Sequence, residues 1–175
     1  MRARIILTTL AAGVLVLAGA CGETTRGDAR PMTETPGTAS PTPSSPATGS
    51  LSEVDPCSLL TADDAGALGA TAAPKRETVG TADTCAWKPT DANLSVGIRT
   101  NLGLAQTQSS GGQITDITVG DRQAKQVSGR ASGGCLVVLG VTASSRVDVT
   151  VIPPPDGDGC PLALKVAGLV EPKLP

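Results

Sequence analysis

Apolar residues are distributed along the chain in blocks, and each block predicts a different kind of segment. Residues 5–20 (IILTTLAAGVLVLAGA) carry no charge, whereas residues 22–50 hold one sizeable apolar side chain, Met32. From Leu51 onward, short apolar runs alternate with polar residues at the period of strands. Thr84–Lys88 and Leu94–Arg99 read as two strands, the second placing Leu94, Val96 and Ile98 on one face, with Pro89–Asn93 as the turn between them. Ile114–Val119 and Gln123–Val127 read as another pair, joined at Gly120-Asp121. Cys135–Val141 is apolar on both faces, which suits a central strand. Val147, Val149 and Val151 alternate with Asp148 and Thr150, predicting a strand with one wet face that ends at Pro153-Pro154-Pro155.

Helical signals flank these strands. Asp55-Pro56 has the form of an N-cap followed by proline at the first helical position. Thr61-Ala62-Asp63-Asp64 resembles a capping box with Asp64 in place of the usual Glu, opening a short helix over Ala62–Leu68 that stops at Gly69. Near the C-terminus, Pro161 follows Asp158-Gly159-Cys160, and Leu162, Val166, Leu169 and Val170 fall on one helical stripe that Glu171-Pro172 terminates. Residues 70–83 read as loop, and 101–113 have no clear period beyond a short helix over Leu102–Gln108. The predicted fold class is α+β: an antiparallel sheet of about six strands, with an N-terminal short helix and a C-terminal helix packed on it, covered on one face.

The first block changes the picture from a plain domain to an exported one. Arg2 and Arg4 precede the uncharged run, the charged-then-apolar order of an export signal. Sixteen residues fall short of the roughly 20 needed to span a hydrocarbon core of about 30 Å. The run ends at Leu17-Ala18-Gly19-Ala20-Cys21, which resembles the lipobox of bacterial lipoprotein precursors: small side chains precede the cut, and the cysteine thiol takes up a diacylglyceryl group. Leucine is commoner where this chain has Ala18. Two acyl chains, at about 0.8 kcal/mol per buried CH₂, hold a protein stably on a membrane. The expected organisation is therefore a lipoprotein signal peptide at 1–20, lipidated Cys21 with a tether at 21–50, and one globular domain at 51–175. Twenty of residues 22–50 are Thr, Ser, Pro or Gly, too polar to offset the entropy of ordering, so the segment is expected to be a disordered spacer with a span of about 30 Å.

Composition narrows the chemistry. The chain contains no His, Phe or Tyr and a single Trp, so Val, Leu, Ile and Ala must fill the core. Abundant Ala, Gly, Thr, Val and Pro fits a GC-rich bacterial genome. The formal charge of −2 becomes −4 once Arg2 and Arg4 are removed, and the remaining cations are scattered, so nucleic acid is not an expected partner. Lys75-Arg76, the adjacent basic pair, reads as a solvated loop. Cys57, Cys85, Cys135 and Cys160 are an even set in an exported chain, the mark of two structural disulfides. Three connectivities are open; short loops close most readily, which favours Cys57 with Cys85 and Cys135 with Cys160. Without a histidine or a C-x-x-C, neither a metal site nor a cofactor is expected.

The same absence of histidine excludes a Ser/His/Asp triad and a Cys/His dyad. Neither a P-loop nor a dinucleotide-binding glycine motif is present. Asp156-Gly157-Asp158-Gly159 opens like a calcium loop, but Ala167 stands where the bidentate glutamate belongs, so it reads as a turn. Asp63 and Asp64 suit the first turn of a helix better than acid–base catalysis. Trp87, two residues from Cys85 on one strand face, reads as core.

A resemblance adds to this reading. Asp55-Pro56-Cys57-Ser58-Leu59-Leu60-Thr61, Cys85-Ala86-Trp87, Gly120 with Ala124, Cys135, and Cys160-Pro161 before the final helix together resemble the actinobacterial lipoproteins of domain-of-unknown-function family 3558, over about residues 52–175. The resemblance implies a membrane-anchored lipoprotein of no established activity and carries over no catalytic residues. The expected function is a non-enzymatic binding module on the outer face of the cytoplasmic membrane, held there by the diacylglyceryl group on Cys21 and recognising an envelope protein or ligand. The alternatives are a carrier of a small or lipidic ligand, which needs an apolar cavity of roughly 300 Å³ or more, and, further off, a carboxylate-based hydrolase.

Overall fold

The alternating segments fold into one antiparallel sheet. A computed structural model describes residues 50–175; the signal-like run, Cys21 and the segment to Gly49 lie outside the described residues. The strands are β1 Lys75–Val79, β2 Ala82–Trp87, β3 Asn93–Arg99, β4 Gln113–Val119, β5 Arg122–Ser128, β6 Cys135–Thr142 and β7 Ser145–Ile152, in the spatial order β1-β2-β3-β7-β6-β5-β4. Two meanders, β1 to β3 and β4 to β7, meet where β3 pairs antiparallel with β7. The strands rich in valine thus lie at the centre.

The sheet has seven strands rather than about six. The additional one, β1, falls inside the stretch predicted as loop. All five of its residues are exposed, so no alternation marks it. It forms because β2 offers a ladder, from Lys75 opposite Ala86 to Val79 opposite Ala82, across the two-residue turn Gly80-Thr81. Gly80 at φ 60° opens this turn and Gly120 at φ 56° opens the equivalent β4–β5 turn, as a type II′ hairpin requires. Gly120 is constrained twice, since a Cβ there would lie 2.5 Å from a Glu171 carboxylate oxygen.

One face of the sheet is dry. Trp87, Leu94, Val96, Ile98, Val137, Leu139, Val147, Val149 and Val151 are each no more than 4% exposed. Helix α2, Cys160–Val170, covers β6 and β7, and a 3₁₀ turn at Pro56–Ser58 covers β1 to β3. Both covers are stapled to the strands beneath them, by Cys135–Cys160 and Cys57–Cys85 respectively. The face of α2 that is buried differs from the predicted stripe: Ala163, Val166, Ala167 and Val170 are buried, with Leu162 and Leu169 half-buried at the flanks. Alanines at the contact let the helix axis approach the sheet closely, and the larger leucines then fit only at the rim.

The short helix α1, Ala62–Ala67, has its capping box: Asp64 N–H donates to Thr61 Oγ1 at 3.1 Å and Thr61 N–H donates to Asp64 Oδ2 at 3.0 Å. Asp55 caps in the same manner, accepting from Cys57 N–H at 3.0 Å, although the element it opens is the 3₁₀ turn and not an α-helix. Lys173 ties the two covers together by donating to Leu59 O at 2.9 Å and to Asp64 Oδ2 at 2.8 Å.

The second face departs most from expectation. Residues 100–112 carry the chain from β3, at the centre, to β4, at the far edge. The helix predicted over Leu102–Gln108 is only a 3₁₀ turn at Leu104–Gln106. This segment is a strap lying on the sheet, with Leu104 against Gly140 and with Gly103 so near the Ala143 carbonyl that a Cβ at 103 would stand 2.0 Å from it. The predicted wet face of β7 is consequently not wet. Arg146 and Asp148 are 6% and 8% exposed.

Candidate functional site

Beneath the strap, the strand periodicity places Arg99 on β3 beside Arg146 on β7, with Asp148 two residues further along β7 on the same face. Arg99 Nε donates to Asp148 Oδ2 at 2.6 Å, Arg146 Nε donates to Oδ1 at 2.8 Å, and Arg146 Nη2 reaches Oδ2 at 3.3 Å. The second nitrogen of each guanidinium turns outward: Arg146 Nη1 donates to Gly103 O of the strap at 3.2 Å, and Arg99 Nη1 donates to Thr81 Oγ1 at 3.1 Å. One carboxylate thus orders two arginines, and one of those holds the strap. A desolvated ion cluster of this type is a poor source of net stability but enforces one arrangement, because any other leaves charges buried without partners. Its chemistry is positioning, since both carboxylate oxygens are engaged.

The strap also walls a groove of about 650 Å³ on the β4–β5 ribbon. Leu104 and Ala105 form one side, and Asp116, Thr118, Gln123 and Lys125 supply the polar floor. Lys125 Nζ donates to Asp116 Oδ1 at 2.5 Å, with the Asp116 side chain 83% exposed and Lys125 22% exposed. A groove of this size falls in the range of small-ligand and peptide sites. Its paired charges, hydroxyl and amide offer hydrogen-bond donors and acceptors.

The residues singled out in the sequence are distributed elsewhere. Cys21 lies outside the described residues. Cys57, Cys85, Cys135 and Cys160 form the two staples of the dry face, with sequence separations of 28 and 25 residues. Trp87 packs in the core with Cys85. Asp158, one residue before the Gly159 N-cap of α2, accepts from Cys160 N–H at 2.9 Å, and Asp156 takes φ 63° in the preceding turn. Among the described residues no group of His, Cys, Asp or Glu is placed to hold a metal ion. Lys75 and Arg76 sit on β1 and not in a loop; Arg76 Nε donates to Asp83 Oδ1 at 3.0 Å.

The shifted carboxyls are structural. The Asp64 carboxyl is held down at about 2, first by its hydrogen bond from Lys173 and then by the Thr61 capping bonds. Asp83 is lowered and Arg76 raised by their mutual hydrogen bond. None of the three lines the groove. Sequence reading missed the Arg99–Asp148–Arg146 cluster because an Arg-x-Asp pair on an alternating strand looks like an ordinary solvated face. The available signal was the glycine-bearing crossover long enough to lie on that face.

No curated protein and no solved structure matches the chain. The family model described as protein of unknown function (DUF3558) matches residues 16–173, which takes in the disulfide-stapled sheet, the strap and α2. With nearly its whole length matched, this chain belongs to the DUF3558 family.

Proposed function

We propose that this protein is a membrane-anchored, extracytoplasmic lipoprotein whose domain acts as a non-catalytic interaction module of the cell envelope. The observation that carries this reading is the position of the polar groove. The N-terminal cover is fixed to β2 through Cys57–Cys85, and β4 lies five strand spacings away, about 24 Å across the sheet. A chain tethered through Cys21 enters the domain at one end of the sheet and offers the groove at the other. Asp116, Thr118, Gln123 and Lys125 offer polar contacts to a ligand or peptide, and with Leu104, Ala105, Ile117 and Ala124 they make an open groove of mixed lining rather than the enclosed apolar cavity that a lipid carrier needs.

Crosslinking in intact cells followed by affinity capture tests this reading, comparing the native chain with Lys125→Glu. The charge reversal should remove captured species in proportion to their dependence on the groove, at a cost of up to about 1 kcal/mol in stability from the two carboxylates it sets opposite each other. Captured species identical for both proteins would show that the groove is not the contact. Cys21→Ala should release the domain from membranes or leave the precursor uncut; unaltered membrane attachment would defeat the anchoring part of the proposal.

A further inference from the structure

The two edges of the sheet are built differently. β1 is five residues long and carries Lys75, Arg76 and Glu77, the charged short edge by which sheets avoid pairing with other chains. β4 is seven residues, QITDITV, in unbroken register with β5 from Gln113–Ser128 to Val119–Arg122. Its single charge, Asp116, is already engaged by Lys125, and Ile114 is 36% exposed. Because Val119 and Arg122 flank a two-residue turn, they form a hydrogen-bonded pair. Val119, Ile117 and Thr115 therefore direct their backbone groups to β5, and Thr118, Asp116 and Ile114 direct theirs outward.

We infer that β4 is the contact through which two copies of this chain join, by twofold antiparallel pairing centred on Ile117. Self-pairing in this direction has few registers, and their side chains separate them. Centring on Asp116 sets two carboxylates directly opposite each other, which is unfavourable. Centring on Thr115 sets Asp116 against Ile114 and Ile117 against Gln113, and centring on Thr118 or Ile114 pairs only three residues of each strand. Centring on Ile117 sets Ile117 against itself, Thr115 against Val119, and each Asp116 against the Thr118 hydroxyl of the other copy, while Thr118 and Asp116 exchange backbone hydrogen bonds. The self-complementarity of this one register is what selects a second copy as the occupant. The two grooves then adjoin across the axis, since Asp116 and Thr118 lie on the floor of each. The inference concerns the strand edge and stands independently of what the groove recognises.

Cysteine substitution in the full chain reads the register. Residues facing each other in a non-hydrogen-bonded antiparallel pair lie about 4.5 Å apart between Cα atoms, within disulfide reach. Ile117→Cys should give a reducible species of twice the monomer mass on membranes. Thr115→Cys, on the same face but opposite Val119, should give at least tenfold less. Equal yields at the two positions, or none at 117, would overturn the proposal. Thr118→Pro provides a second measure, because proline there removes an outward N–H and leaves the β4–β5 ladder intact. In sedimentation of the detergent-solubilised full chain, the native protein should be dimeric and the proline variant monomeric, with a dissociation constant raised at least tenfold and an unfolding midpoint equal to the native one at dilutions where both are monomers. A native chain that sediments as a monomer at about 100 µM would also overturn it, that concentration corresponding to only about 5.5 kcal/mol of association energy.

Discussion

The two faces of the central sheet are covered by different physics. On the dry face, α2 and the Pro56 turn bury aliphatic side chains and are stapled by disulfides. On the other, the 100–112 strap lies over two arginines that share one aspartate and is held by a hydrogen bond to Gly103 O and by Leu104. A core with no Phe or Tyr has little large apolar surface to distribute, so the hydrophobic effect is concentrated on one side. The second side buries less apolar surface, chiefly Val127 and Val138, and is otherwise specified by electrostatics and close backbone approach. Burial on the strap face therefore depends on keeping its buried charges partnered, whereas burial on the helix face depends on aliphatic packing.

Asp148→Ala puts this contrast to the most severe test. It leaves Arg146, 7% exposed in its side chain, and Arg99, 20% exposed, without their carboxylate. The expected loss is about 3–5 kcal/mol in urea unfolding, the scale for removing one partner of a buried ion pair. A loss below about 1 kcal/mol would mean that the strap face is effectively solvated. On the helix face, replacing both Cys135 and Cys160 by alanine should cost about 3 kcal/mol, because the staple closes a loop of 25 residues in the unfolded chain. The domain should remain folded with the Cys57–Cys85 bridge intact; collapse of the fold would show that α2 is not held by its apolar face.

The smallest expected effect concerns acid. Asp64 has a folded pKa of about 2 against an ordinary 3.8, so its contribution is present above about pH 3.8 and is lost as pH falls toward 2. Asp83 is lowered as well, and its contribution disappears in the same direction. Unfolding midpoints measured at pH 5 and pH 2.5 should differ, with Asp64→Asn removing about 1 kcal/mol or less of that difference, since the group is partly solvated. An Asp64→Asn variant with an unchanged acid profile would assign the acid sensitivity to other carboxyls.

Much of the fold was legible because most strands alternate. Val147, Val149 and Val151, or Leu94, Val96 and Ile98, can bury one face only as a strand, and Gly120-Asp121 marks its turn by glycine's access to positive φ. β1 was not legible, since Lys75-Arg76-Glu77-Thr78-Val79 has no buried face and its ladder exists only through β2. The buried stripe of α2 is rotated from the predicted one, because which side of a helix docks depends on how closely the opposing sheet can be approached. The groove was hidden for a related reason. Its floor comes from β4 and β5 and its wall from the strap, and no local pattern in any of the three announces the others.

Residue type and short-range period were enough to specify an antiparallel α+β domain, a cysteine set fit for two staples and the exclusion of histidine-dependent chemistry. Three features emerged only from the packed fold: residues 100–112 cross the second face, Asp148 is buried between Arg99 and Arg146, and β4 is left as a long, nearly uncharged edge. The physical reason is that strand order is set by pairings between segments about fifty residues apart, such as β3 with β7. Alternation reveals that a residue has two possible faces, and long-range packing determines which of them meets water.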